Sequence, residues 1–198
     1  MTITNGYVTL NDFKERIDLD DHLDDDKLDT IITAASRLVD DVCGRRFYAA
    51  TETRYYTPDN GVYLRVDDLL TVTTLKTDED GDRTYEVTWA TTDYDLMPLN
   101  ATLDGWPFMS IEITPDGDNS FPTVAKGVEI AGSFGFASTT PPAIQEACVL
   151  AAHRLLKRAD TPLGVSAAAA LGQMQVMIRE LGSDPDFMLL VSSYIKGW

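Results

Sequence analysis

Apolar residues recur at helical spacing near both ends of the chain and at a period of two between them, so the pattern predicts helices, then strands, then helices. A first helix is expected over 9–18. Thr9 is its N-cap, Asp12 stands three residues on, and Leu10, Phe13 and Ile17 form the apolar side. A second, over 24–43, opens on Asp24, Asp25 and Asp26, whose charges suit the positive end of a helix dipole. Its stripe is Leu28, Ile31, Ile32, Ala35, Leu38, Val39 and Val42, and Gly44 is a natural stop.

From Thr53 to Phe136 the period falls to two and turn residues recur. Pro58-Asp59-Asn60-Gly61, between Tyr55-Tyr56 and Val62-Tyr63-Leu64, predicts a hairpin. Asp78-Glu79-Asp80-Gly81-Asp82 predicts a second, joining Val72–Thr77 to Arg83–Trp89. Tyr94–Met97, Met109–Thr114 and Val128–Phe134 read as further strands, with loops at Pro98–Pro107 and Pro115–Pro122. A third helix is expected over 141–159, because Pro141 and Pro142 fit a first turn, and it ends before Pro162. Its buried face is Ile144, Cys148, Ala151, Ala152 and Leu155, with Leu38 and Ile144 meeting between helices two and three. A final helix opens on the capping pair Ser183 and Asp186 and carries Phe187, Leu190, Val191 and Tyr194, with Gly197 as its stop.

The fold class expected is therefore α+β: a small helical bundle core with a β-rich insertion over 53–136 between helices two and three. Residues 1–160 form the main domain, and 161–198 a C-terminal arm with the terminal helix. Composition supports a folded core, with 44% apolar residues. No run approaches the roughly 20 consecutive apolar residues a membrane helix needs. The N-terminus has no basic region or apolar block of the kind a signal peptide carries. Cys43 and Cys148 lie singly in apolar helical patterns and read as buried thiols in a reducing compartment.

A net charge of −16 and a pI near 4.3 argue against a sequence-independent grip on DNA, which needs clustered Lys and Arg. Asp18, Asp20, Asp21, Asp24, Asp25, Asp26 and Asp29 lack the alternation and glycine of a calcium loop and read as a solvated helix start. Asp78–Asp82 and Asp116-Gly117-Asp118-Asn119 lie between strand patterns and read as turns. His22 and His153 are the only histidines, and neither stands in a metal-ligand pattern. Gly132-Ser133-Phe134-Gly135 only superficially matches a nucleophile elbow, and no phosphate loop or dinucleotide fingerprint occurs. No catalytic residues, cofactor or metal are expected.

An ordered set of segments resembles the head-tail connector (adaptor) family of tailed bacteriophages. It begins with Tyr7-Val8-Thr9-Leu10-Asn11-Asp12-Phe13-Lys14, then Ile32-Thr33-Ala34-Ala35-Ser36-Arg37-Leu38-Val39-Asp40 running into Cys43-Gly44-Arg45-Arg46-Phe47-Tyr48. Thr53-Arg54-Tyr55-Tyr56 follows, then Leu69–Asp78 with its Asp80-Gly81 turn, and Asp93-Tyr94-Asp95-Leu96-Met97-Pro98. Pro141–Ala147, Arg154–Arg158 and Asp184-Pro185-Asp186 complete it. The resemblance runs from about Tyr7 to Tyr194. The chain departs from it at Ser166–Leu171, where Ala-rich residues replace a more polar arm.

The resemblance implies a non-enzymatic virion component made in the bacterial host cytoplasm. It implies a homo-oligomeric ring, typically a dodecamer, docked on a portal protein and followed by a downstream neck or tail protein. DNA would pass through the ring's channel without specific binding, and an acidic channel wall would repel it. Another neck or head-completion protein is the nearest alternative; a carboxylate-based metal-dependent hydrolase is the alternative from a different class. Arg45, Arg46, Phe47 and Tyr48 form a basic, aromatic stripe just past a helix end and are candidates for a subunit contact. Met174, Val176, Met177 and Ile178, beyond the small residues 164–172, are candidates for an arm that orders on the portal.

Overall fold

A computed structural model describes residues 3–19, 24–115, 117, 119–159 and 184–197. They fall into two units, one helical (1–45 with 140–198) and one built on a sheet (46–139). The helical unit contains α1 (Leu10–Arg16), α2 (Asp25–Cys43), α3 (Pro142–Ala159) and α4 (Pro185–Val191), the last continued by a 3-10 turn over Ser192–Tyr194. α1 begins as predicted: the Thr9 hydroxyl oxygen accepts the Asp12 backbone N–H at 3.1 Å. α2 ends at Gly44, whose φ of 64° is costly for any side chain bearing a Cβ, and whose N–H closes on the Asp40 carbonyl.

α2 buries Leu28, Ile32, Ala35, Ser36, Val39 and Cys43, a stripe that repeats at three and four residues. Leu38, expected in that core, is instead 37% exposed. At about 100° of turn per residue it lies roughly 110° from the stripe's centre, beyond the reach of α3. Ile144 is fully buried, as expected, with Ala147, Cys148, Ala151 and Ala152 beside it on α3, which packs on α2. Small residues there let the two helices approach closely. Cys148 sits 3.3 Å from the Ser36 hydroxyl, which donates to the Ile32 carbonyl and accepts the Tyr7 N–H. Both cysteines are free and buried, and burial pushes the Cys43 thiol up to about 11.

α4 packs on α3. Its cap is Asp184, which accepts the N–H groups of Asp186 and Phe187 at 2.8 and 2.9 Å and pairs with Arg154. The expected cap, Ser183, lies outside the described residues. Asp184 wins because Pro185 then occupies the first helical position, where a missing N–H costs nothing. Phe187 and Val191 are fully buried, and the Lys196 N–H returns to the Cys43 carbonyl at 2.8 Å.

The other unit is an antiparallel sheet of β1 (Ala50–Tyr56), β2 (Tyr63–Thr77), β3 (Val87–Thr88), β4 (Tyr94–Met97), β5 (Phe108–Ile113) and β6 (Val128–Phe134). Its order is β1-β6-β2-β5-β4, with β3 pairing β2. The first predicted hairpin does not form, because β6 inserts between β1 and β2. Asn60 turns the loop inward by accepting the N–H groups of Val62 and Tyr63, both at 2.9 Å, and the Gly61 carbonyl takes the Phe121 N–H. The second hairpin does form, although β3 pairs only at Lys76–Thr88 and Thr77–Val87.

The two short strands expected at 62–64 and 72–77 are one strand of 15 residues. Register shifts between Arg65 and Leu69, Leu69 and Thr71, and Val72 and Thr74 bend it, so its first part pairs β5 and its second part β6. Gly132 faces one of these bulges: a Cβ there would stand 2.1 Å from the Thr71 carbonyl oxygen. The core comprises Leu64, Leu69, Leu75, Ile111, Val128, Ile130 and Phe134, with Trp89 stacked on Phe121 at 4.7 Å. The buried Trp89 indole N–H donates to the Thr77 hydroxyl at 3.1 Å, so it carries no desolvation penalty.

Candidate interaction surfaces

Arg45 ends the helical unit and Arg46 begins the sheet unit, so the stripe expected at 45–48 is shared between the two. Arg45 and Tyr48 are half-buried. Phe47 is fully buried against Phe136, with ring centroids 5.3 Å apart, so its side chain is a core residue of the sheet unit. Arg46 lies over the Tyr48 ring at 5.1 Å and donates to Glu52 at 2.6 Å. Glu52 in turn accepts from Arg54 at 2.9 Å, and Arg54 reaches Asp67 at 2.7 Å while lying over the Phe134 ring at 4.5 Å.

This chain of charges runs along β1 on the side that faces the core, and the Arg54 guanidinium plane covers Phe134. The Arg46 hydrogen bond, aided by Arg54, holds the Glu52 carboxyl below its ordinary range. Burial raises the neighbouring Tyr56 phenol to about 12. Arg46 therefore has a local use, pairing with Glu52 along the edge strand of the sheet. Met174, Val176, Met177 and Ile178 lie outside the described residues.

Asp78, Asp80 and Asp82 bring carboxylate oxygens within 4.8 Å of one another. At least one oxygen of each carboxylate already accepts from the turn itself. Asp78 accepts Gly81 N–H at 2.7 Å and Arg83 N–H at 2.9 Å, Asp80 accepts Asp82 N–H at 3.1 Å, and Asp82 accepts Thr84 N–H at 2.7 Å. Burial opposes the charge of Asp78, yet these N–H groups outweigh it and hold its carboxyl below the usual value. The chemistry is that of a turn, and the donor set has no His, Cys or long Glu to complete a coordination shell.

Two further surfaces emerge that the sequence reading passed over. The 98–107 segment is a compact loop, tied by Ala101 N–H to the Pro98 carbonyl at 3.0 Å and Trp106 N–H to the Ala101 carbonyl at 2.8 Å. It presents Leu99 (65% exposed) and Leu103 (84%), with Trp106 and Met109 also exposed. Trp106 is braced edge-on against Phe136 at 5.2 Å. In the helical unit, the end of α1 with α3 and α4 forms an open groove lined by Ile17, Val149, Leu150 and Leu190. His153 stands at this groove, and the Arg16–Glu146 ion pair forms its polar side. Apolar residues within a segment bounded by prolines were the available signal for the first. The second arises only when three helices meet.

No protein-family model matches the sequence, and no curated protein matches it. Solved structures do. A chain in the neck of an empty GTA particle computed with C6 symmetry is 15% identical with a TM-score of 0.60, covering 100% of this chain and 94% of its own length. A chain in the neck of the native GTA particle computed with C12 symmetry is 18% identical with a TM-score of 0.60, covering 100% and 93%. A chain in the virion of the native gene transfer agent (GTA) particle is 18% identical with a TM-score of 0.61, covering 100% and 94%. From end to end, this chain shares the fold of proteins found in gene-transfer-agent necks and virions.

Proposed function

We propose that the chain is a non-enzymatic neck component of a tailed-phage-like particle, forming a ring that joins the head to the tail. The observation that carries this reading is a fold shared along the whole chain with neck chains whose particles were solved with C6 and C12 symmetry. The sequence resemblance to head-tail connectors points the same way without using that likeness. A ring subunit needs surfaces more than a pocket. The described residues present an exposed apolar loop and an apolar groove, whereas the one described group of three carboxylates that converge already accepts hydrogen bonds from its own turn. The hydrolase alternative rests on clustered carboxylates converging in a pocket, and these three belong to a turn between strands.

In this reading the ring docks on the portal and DNA passes through its channel. A net charge of −16 suits a wall that lets duplex slide without gripping it. Arg45 and Tyr48 belong to the rim of a subunit contact. The segment carrying Met174, Val176, Met177 and Ile178 supplies apolar residues for the portal.

The test is to mix purified protein with the portal of the same particle and image the mixture by negative stain. A ring seated on the portal is expected; a folded protein that leaves the portal bare overturns the reading. For the arm, serine at positions 174, 176, 177 and 178 is the cleaner variant. Truncation after residue 160 would also remove Phe187 and Val191 from the helical core.

A further inference from the structure

Resting on the ring reading, we infer that neighbouring copies are joined by the 98–107 loop of one copy seating Leu103 and Trp106 in the α1–α3–α4 groove of the next. Both halves of the contact are present in one chain. Leu103 is the most exposed large apolar side chain among the described residues, at 84%, and Leu99 follows it in the same loop at 65%. Four large exposed apolar groups within residues 99–109, with Asp104 the only charge in that stretch, are the composition of an interface centre rather than of a solvated loop. The loop's internal hydrogen bonds and the Trp106–Phe136 edge contact fix its shape beforehand, so little ordering remains for docking.

The groove offers the complementary surface: Ile17, Val149, Leu150 and Leu190 line it, and among the described residues it stands open. Charge selects a second copy as the occupant. The sheet unit carries six Lys/Arg against sixteen Asp/Glu, a net −10. Two such units facing each other would repel. The last turns of α3, by contrast, hold Arg154, Lys157 and Arg158 within five residues; Arg154 pairs with Asp184, while Lys157 and Arg158 are exposed. Setting the acidic sheet unit of one copy beside that helix places opposite charges together. Because loop and groove are different surfaces, the contact is heterologous, the type that propagates around a ring.

The experiment introduces one acidic residue at each of two exposed apolar sites of the full chain. Leu103→Glu strikes the loop, and Val62→Glu, 56% exposed at the far end of β5, is the control of equal charge. Sedimentation velocity and native mass spectrometry, alone and with the portal, read the assembly. Leu103→Glu should weaken self-association at least tenfold, with Val62→Glu like the parent. A Leu103→Cys/Leu150→Cys chain, whose native cysteines are both buried, should give a ladder of interchain disulfides on mild oxidation. A ring that forms without the ladder and tolerates Leu103→Glu overturns this contact and leaves the ring standing. Equal weakening by both acidic variants also overturns it, since net charge alone would explain the loss. A parent that stays monomeric even with the portal overturns the ring reading and this contact together.

Discussion

The helical and sheet units differ in how their stability is organised. In the helical unit each element is set by neighbours in sequence: Thr9 and Asp184 cap, Gly44 stops, and apolar stripes repeat every three or four residues. In the sheet unit the decisive contacts are distant. β1 lies against β6, some eighty residues on, and β2 divides its length between β5 and β6. Charge is also unequal. The sheet unit carries a net −10 and the helical unit, with ten Lys/Arg against sixteen Asp/Glu, a net −6. The sheet unit concentrates both the long-range order and the repulsion, so it is the more easily broken by one substitution or by a change of pH.

The largest effect is expected where three strands converge. Phe134 is fully buried, pairs with Ala50 on β1 and Leu69 on β2, and lies beneath the Arg54 guanidinium. Phe134→Ala should cost about 3–5 kcal/mol by cavity formation and by uncovering that guanidinium, measured by urea unfolding. Ile144→Ala, the counterpart in the helical core, should cost roughly 2–5 kcal/mol. If the two units melt separately, each variant should shift only its own transition. A single shared shift would show that the units unfold as one.

Next comes Gly132. A methyl group there must displace the Thr71 backbone at a bulge, so Gly132→Ala should cost about 1–3 kcal/mol despite adding one carbon. An unchanged melting temperature would show that the bulge relaxes freely.

How legible each unit was in its sequence follows the same contrast. Helix ends and stripes are local, and the reading placed α1, α2 and α3 to within a residue or two, as it did β4 and β6. Strand partners are not local. Pro58-Asp59-Asn60-Gly61 has ordinary hairpin chemistry, yet nothing near it announces that β6 will take the place beside β1. The strands expected at 62–64 and 72–77 left 65–71 unassigned; Asp67 is accommodated within the continuous strand by Arg54, a residue of another strand, beside a bulge. The stripe at 45–48 illustrates the limit for surfaces. Its residue types suit an interface, but Phe47 is consumed by the core and Arg46 by Glu52.

A smaller effect distinguishes the units by pH. Glu52 accepts from Arg46 and Arg54 and titrates below its ordinary range, so the folded state binds this proton less readily than the unfolded state. Its contribution is present above the unfolded value and is lost as pH falls through the folded one. Acid should therefore loosen the sheet unit in that window. Glu52→Gln should flatten the acid limb while costing no more than about 1 kcal/mol at neutral pH, since the Glu52 side chain is about one-third exposed. An acid limb as steep as the parent's would assign the sensitivity to other carboxylates.

The smallest effect separates the geometry of α2 from its hydropathy. Leu38 belongs to the apolar residues of that helix by type, yet it projects well to one side of the buried stripe and is 37% exposed. A leucine in the core would cost several kcal/mol to truncate, because a cavity would open. A leucine at the surface leaves no cavity: water fills the space, and alanine has a slightly higher helix propensity to offset the lost contact. Leu38→Ala should therefore lie within about 0.5 kcal/mol of the parent in urea unfolding, against at least about 2 kcal/mol for Ile144→Ala. The pair is informative because both residues are large, aliphatic and helical, so only their angular position separates them. A cost for Leu38→Ala close to that of Ile144→Ala would mean that the side chain is covered in solution, either within the helical unit or by a neighbouring copy. Repeating the measurement at low protein concentration decides between these, since only a cover supplied by another copy is lost on dilution.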